Sequence, residues 1–512
     1  MLASDLRAAQ SPHRPPSVGG PLAWLLASST DLGPSRAGHA QLTVTMRDSA
    51  RPEALMGWAS SRGLSVRWRP GEEWAIVEGA APDVADAFGV AVHDYRGRRG
   101  QVFYASPQQP AIPAPVRGAV TDLGRILGYT PHHLARPAIH PLDVPPRGLT
   151  PDAVLTTYDA SPLAAAGFTG KGQTMVFFEF DGYDQADLDL YTTKAGLPPL
   201  KPVLVGGQPG DPRGETVMDL EVAHAIAPDA QKVVVNALTT VQGDGSYEKV
   251  ARLFDSVDRQ FPGAVWSFSI GWGCDKLLTA ADLAPVQSAL KSAQAHGASA
   301  FDASGDLAGL ECKGGQDWSS PPGASDVGLD SVASVPGMTN VGGTTLSTDA
   351  RGRWLAEQAW FDVPLSQGSG GGVSALFSRP QWQSGVSMAR DSAHRLAPDV
   401  SAVADPFTGV RIVFNQRVVS GGGTSQAAPI WAALTAVMNQ FLAANGGHAI
   451  GDLNPLLYRV AAGAARPAFH DVVLGANAVD SAGPGYDAVT GLGTPSTDNL
   501  VRNLLDIQRG SG

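Results

Sequence analysis

Residues 174–180 read Thr-Met-Val-Phe-Phe-Glu-Phe, a nearly unbroken apolar run without the alternation of a strand that has one wet face. Such a run is stable where both faces of its sheet are covered, the condition of parallel sheets. Similar runs recur at 232–238, 264–270, 298–302, 332–335 and 410–414. Helical stretches at 187–193, 247–261 and 285–296 separate the first four. Strands alternating with helices predict an α/β fold: a parallel sheet with helices on both faces. In such sheets functional groups gather at the carboxyl ends of the strands. At 512 residues, 43% hydrophobic and 17% charged, the chain can bury that core and a second domain besides.

The preceding stretch has another rhythm. Residues 42–46, 64–68, 74–78 and 90–95 read as strands, 52–62 and 82–88 as helices, and 102–104 closes the unit. The order β-α-β-β-α-β predicts a small ferredoxin-like α+β domain over residues 36–106. It contains no nucleophile, ligand cluster or phosphate loop. Residues 1–35, rich in Pro, Ser and Arg, are expected to be unordered. Ten prolines between 107 and 151 predict an extended linker over 107–148, interrupted by a short apolar helix at 116–127. Arg136 and Arg147 make that linker cleavable, and His132, His133 and His140 are expected to be solvated. A domain without chemistry, joined by an exposed linker to a large one at 149–512, has the layout of a propeptide.

Net charge is −11, with no basic stripe, which argues against a nucleic-acid partner. No apolar run is expected to reach the ~20 residues of a membrane span, and residues 21–28 are too short and too late for a signal peptide. The two cysteines, Cys274 and Cys312, are too few for a multi-cysteine metal site. They form either one disulfide, which implies an oxidising compartment, or two free thiols.

Chemistry concentrates at Gly421-Gly422-Gly423-Thr424-Ser425-Gln426-Ala427-Ala428-Pro429. Apolar residues spaced by three and four from Trp431 to Leu442 predict a helix starting at Thr424 or Ser425, with Pro429 still near the tolerant first turn. A serine there lies in the positive field of a helix N-terminus, which suits a nucleophile; a plain N-cap fits equally. Glu215 and Asp219, at i and i+4, project from one face of a helix read from Gly214 and ended by Pro228. Two like charges so placed push one pKa up, leaving a base and a supporting acid for a serine, or simply a solvated acidic face. Asp306 follows the apolar run at 298–302 through Ser304-Gly305. A neutral carboxyl there could donate to an oxyanion, or the residue could serve an Asx turn.

Together these residues resemble the sedolisin family, the serine-carboxyl peptidases. Gly422-Gly423-Thr424-Ser425 through Pro429 is similar to its nucleophile motif, Glu215-x-x-x-Asp219 to its acid pair and Ser304-Gly305-Asp306 to its oxyanion aspartate. Gly370–Ser374, Arg379–Gln383 and Arg395–Val400 agree with the resemblance. It implies a subtilisin-like sheet, Ser425 as nucleophile, Glu215 as general base and acid, Asp219 as its support and Asp306 as oxyanion stabiliser. It implies too that residues up to about 148 are an activation prodomain, an intramolecular inhibitor removed by self-cleavage. Glu179 and Trp272 resemble positions that extend the carboxylate chain. Leu307-Ala308-Gly309 departs from the Ser-Gly that usually follows the oxyanion aspartate. Residues 469–495 resemble the family's calcium loop, in which Asp471 and Asp487 and the carbonyls of Val472, Gly483 and Gly485 would hold one Ca2+.

The expectation is therefore a secreted, monomeric, acid-acting endopeptidase made as a zymogen, acting on proteins or peptides without membrane or nucleic acid. One alternative is a subtilisin-like peptidase, since Gly-Thr-Ser-x-Ala-x-Pro is shared. That enzyme needs a histidine opening a helix, which neither His224 nor His296 fits. The other is an inactive homologue serving as a binding scaffold.

Overall fold

The computed structural model describes residues 15–98, 100–130, 132, 140–141, 148–243, 247–313, 323–362, 367–386 and 393–510. The chain divides after Tyr129 into two compact units.

The first unit begins earlier than expected. Within the segment expected to be unordered, α1 (Gly20–Ala27) buries Pro21, Leu22 and Leu26, and β1 (Thr30–Pro34) follows it. Residues 1–14 lie outside the described residues. Then come β2 (Ala40–Met46), α2 (Glu53–Ser60), β3 (Ser65–Arg67), β4 (Trp74–Gly79) and α3 (Ala81–Phe88). Two strands follow, β5 (His93–Arg96) and β6 (Val102–Ala105), and then β7 (Val120–Leu123). The antiparallel order β3-β4-β2-β7 is the ferredoxin-like one.

Its fourth strand, however, is not the stretch at 90–95. β5 pairs instead with β1 and β6 in a separate three-stranded sheet. The fourth strand is β7, inside the stretch expected to be helical. Val116, Val120, Leu123 and Leu127 recur at helical spacing and are all buried. Long-range pairing, Val44 opposite Leu123, overrides that periodicity. The unit therefore extends past residue 106 into the stretch expected to be linker.

Arg136, Arg147 and His133 lie outside the described residues. His132 packs edge-on against Phe180 rather than standing free in solvent. The two-residue β8 (His140–Pro141) pairs with the strand Arg417–Ser420.

The second unit opens with two short helices, α4 (Pro151–Thr157) and α5 (Ser161–Ala165). The alternation follows as expected: β9 (Thr174–Glu179), α6 (Gln185–Ala195), β10 (Val203–Val205), α7 (Glu215–Ile226), β11 (Gln231–Asn236) and α8 (Glu248–Gln260). It continues through β12 (Val265–Phe268), α9 (Ala280–Ala295), β13 (Ser299–Ala303), β14 (Thr339–Thr348) and β15 (Trp354–Ala359). The sheet order is β10-β11-β9-β12-β13-β14-β15, with the strand Val400–Val403 also paired to β14. Every neighbour is parallel except β15.

Alternate side chains of β9 enter opposite cores, which is why its sequence shows no alternation of polarity. Met175 and Phe177 join the layer of α7 and α10 (Thr424–Ala444), whereas Val176 and Phe178 join that of α8 and α9. At 21 residues and mean hydropathy 1.3, α10 is long and apolar enough to cross a membrane, contrary to expectation. Here it is a core helix, packed on α7, β12, β13 and β14.

Two expected members of the sheet are absent from it. Residues 332–335 form turns, because Asp330 Oδ1 accepts from the amides of Val332 and Ala333. Arg411–Phe414 pairs with Arg417–Ser420 in a small antiparallel sheet. The sheet strands not expected are β10, β14, β15 and Val400–Val403; in β14, Gly342 and Gly343 weaken the strand signal. A Cβ on Gly342 would lie 2.7 Å from Ser401 Oγ, and one on Gly343 2.5 Å from the Ala404 Cβ. Glycine is what lets the neighbouring segment approach.

Candidate active site

The carboxyl ends of β9, β12 and β13 lie side by side and deliver Glu179, Asp181, Ser269 and Asp306 to one end of the sheet. The amino ends of α7 and α10 bring Glu215, Asp219 and Ser425 to the same place. The structure thus gathers the four residues singled out by the motifs. Glu215 is acted on by Asp219, Asp306 and the Ser425 hydroxyl together. Ser425, Glu215 and Asp219 are buried, and Asp306 is half-buried.

Ser425 is the second residue of α10, behind Gly423 at φ +91°. Pro429 is the sixth residue, beyond the tolerant first turn. It supplies no N–H to Ser425 O, as a residue there normally would. Ser269 Oγ replaces that donor at 3.0 Å and also lies 2.6 Å from Asp219 Oδ2. One hydroxyl therefore ties the backbone of the serine to the acid on α7. Nothing in the run at 264–270 singled Ser269 out; only the missing N–H of Pro429 hinted that Ser425 O needs a partner.

Asp306 is held by Thr424, whose N–H and Oγ1–H both donate to Oδ1, at 2.7 and 2.8 Å. Thr424 Oγ1 also accepts from Gly305 N at 3.1 Å. The other oxygen, Oδ2, lies 2.7 Å from where a Cβ on Gly423 would stand. With Oδ1 receiving two donors, Oδ2 is the oxygen free to carry a proton. The loop is anchored by Gly370 N to Gly305 O, Gly368 N to Asp306 O and Leu307 N to Glu311 Oε1. In the divergent Leu307-Ala308-Gly309, Ala308 adopts φ +56° and is fully buried. A disulfide joins Cys274 to Cys312, six residues after Asp306.

Burial dominates the electrostatics. It holds Glu215 well above the usual carboxyl range, reinforced by the charges of Asp219, Asp181 and Asp306 and opposed by Ser425. Both Glu215 oxygens lack an aligned hydrogen bond, so serine and glutamate are neighbours not yet in bonding register. Burial likewise raises Asp219, against the opposing pull of Ser269 and Glu179. Glu179 is raised by burial first and then by the charges of Asp219, Asp181 and Glu215. Asp306 is raised by burial and pulled back by the two Thr424 donors. Neutral carboxyls are what such a dry cluster favours.

Trp272 does not extend this chain: its Nε1 donates to Thr240 Oγ1 at 3.1 Å. His224 is buried on α7 with Nε2 at 2.8 Å from Pro198 O, and burial lowers it to about 4. His296 Nδ1 faces Asp258 at 2.8 Å. Neither histidine serves the serine.

At the candidate calcium loop, two carboxylates converge on Gly483-Pro484-Gly485. Asp471 Oδ2 accepts from Gly485 N at 2.8 Å and Asp487 Oδ2 from Gly483 N at 3.1 Å. Among the described residues, no recorded hydrogen bond reaches the carbonyls of Val472, Gly483 or Gly485. An all-oxygen donor set with spare carbonyls fits a hard cation. The one described group of three metal-type ligands, Cys274, Asp275 and Cys312, is closed by the disulfide.

No family profile matches the chain. Kumamolisin of Bacillus sp. (strain MN-32) is 31% identical over 489 residues, which cover 88% of this chain and 82% of that one. Sedolisin of Pseudomonas sp. (strain 101) is 28% identical, covering 87% and 77%. The solved structure of Pseudomonas sedolisin, a serine-carboxyl proteinase complexed with two molecules of pseudo-iodotyrostatin, superposes with a TM-score of 0.59 at 26% identity. That match covers 72% of this chain and all of the other.

Proposed function

The chain belongs to the sedolisin family of serine peptidases, and on that premise we propose that it is an acid-acting endopeptidase with Ser425 as nucleophile and Glu215 as general base. The observation that carries the reading is the convergence of Ser425, Glu215, Asp219 and Asp306, with no histidine beside the serine among the described residues.

Ser425 Oγ attacks the peptide carbonyl as its proton passes to Glu215. The carbonyl oxygen becomes an oxyanion and accepts from the proton on Asp306 Oδ2. Glu215 then returns its proton to the departing amine as the C–N bond breaks, leaving an ester on Ser425. Water, deprotonated by Glu215, hydrolyses that ester. Asp219, tied to Ser269, fixes Glu215 and takes up part of its charge. In the free protein, burial and neighbouring carboxylates weigh more on Glu215 than on Asp306, the reverse of the order required. Bound substrate corrects this. Its carbonyl accepts from neutral Asp306, while the Ser425 hydroxyl donates to ionised Glu215. Because Asp306 must keep a proton, activity falls as pH rises and that proton is lost.

The ferredoxin-like unit is read as the prodomain and self-cleavage as the route to the mature enzyme. The disulfide supports an oxidising, extracellular destination. Asp471, Asp487 and the three loop carbonyls would hold one Ca2+, a purely structural tie. The test is to lower the pH over the full chain and over Ser425→Ala while following mass and cleavage of an internally quenched peptide. Loss of roughly the first 148 residues and turnover in the unmodified chain alone are expected. No processing in either chain would favour a scaffold.

A further inference from the structure

We propose that Asp181 is a positioning residue of this reaction: from beyond the end of β9 it holds the first turn of α7, which carries Glu215, and sets a fixed negative charge beside the buried carboxyls. The inference rests on the reading of Glu215 as base.

Helix α7 starts after Gly214, which has no side chain to cap it. Asp181 takes over that task from another element. Its Oδ2 accepts from Arg213 N at 2.7 Å and Glu215 N at 3.3 Å, and its Oδ1 accepts from Thr216 N at 3.0 Å and Thr216 Oγ1 at 2.7 Å. All are donors, and they sit at the positive end of a helix, so this carboxyl is served as an anion. The contrast with its neighbours is sharp. Both oxygens of Glu179 and Glu215 and Oδ1 of Asp219 are buried without an aligned partner. One carboxylate is solvated by backbone amides; the three around it are dry.

The consequence is electrostatic as well as mechanical. The charge of Asp181 pushes Glu179, Glu215 and Asp219 up, in each case behind burial. The groups acting on Glu215 are Asp219 from its own helix, Asp181 from beyond β9, Asp306 from the loop after β13 and Ser425 from α10. No step of the reaction requires Asp181 to change charge. Behind burial and Asp219, it therefore raises the pH at which Glu215 becomes available as a base.

Asp181→Asn keeps the shape and an acceptor but removes the charge. The acid limb of kcat/KM against pH, which reports the free base, should move about one pH unit lower. Thr216→Val loosens the cap but keeps the charge, and its limb should stay in place. An unmoved limb in folded Asp181→Asn, or an equal shift in both variants, would overturn the inference. If Asp181→Asn does not fold, Asp181→Ser, a short neutral cap, is measured in its place. Failure of both to fold would assign Asp181 to the fold alone and overturn the inference too. Glu215→Gln separates the two readings. Retained turnover there sinks the base assignment, whereas an inactive Glu215→Gln with an unmoved Asp181→Asn limb sinks this inference alone.

Discussion

Replacing Asp330 by asparagine should make the protein lose less stability as the pH rises. Asp330 is 3% exposed, and its Oδ1 accepts from the amides of Val332 and Ala333 at 3.1 and 3.2 Å. Burial outweighs those donors and pushes the carboxyl from 3.8 up to about 7. A folded-state pKa above the unfolded one means that the folded state binds the proton more tightly. Its contribution is complete below pH 3.8 and is lost as pH climbs through about 7. At about 1.4 kcal/mol for each tenfold change in proton affinity, the loss between pH 4 and 8 is about 4 kcal/mol. That is a large share of the ~5–15 kcal/mol that hold a typical domain together. Asp275 and Asp452, both raised by burial to about 6, act with the same sign. His224 acts with the opposite sign. Lowered from 6.5 to about 4, it contributes about 3 kcal/mol of stability that appears as pH rises through that window. Raw pH dependence is therefore a sum, and the informative quantity is a difference. Guanidinium titrations at pH 4, 6 and 8 on Ser425→Ala, with and without Asp330→Asn, isolate it without self-digestion. The stability difference between the two should shift by about 4 kcal/mol in favour of Asp330→Asn between pH 4 and 8. Parallel curves would refute the reasoning.

Three further outcomes are expected. Thr424→Val removes one of the two donors on Asp306 Oδ1, so the alkaline limb of kcat/KM should move to higher pH while kcat falls; Thr424→Ser should restore both. Gly423→Ala forces φ +91° on a residue with a Cβ and drives that carbon to within 2.7 Å of Asp306 Oδ2. Thermal unfolding should show a loss of about 1–3 kcal/mol, with turnover abolished. Chelation of Ca2+ should lower the unfolding temperature reversibly, and Asp487→Asn should remove that dependence; a chelator-insensitive melt would count against the calcium assignment.

The sequence by itself determined the α/β class and the four side chains proposed for catalysis. The apolar run of β9 has no wet face, and only a sheet covered on both sides satisfies it. Ser425, Glu215, Asp219 and Asp306 stand near a helix start or beyond a strand end, where spacing admits a cap, an acidic face or a turn as readily; the resemblance to the sedolisins is what singles them out. Tertiary structure decided what depends on pairing across distance. Val116, Val120, Leu123 and Leu127 carry a helical period, yet β7 forms because β2 offers it an edge. Residues 332–335 looked like a strand and became a turn once Asp330 bound their amides. Asp181 and Ser269 belong to no motif, because their importance comes from what another segment lacks. Gly214 has no cap of its own, and Pro429 leaves Ser425 O without its usual donor. A local pattern records what a residue is. The backbone groups left unpaired by a distant glycine or proline become visible only when the chain has folded around them.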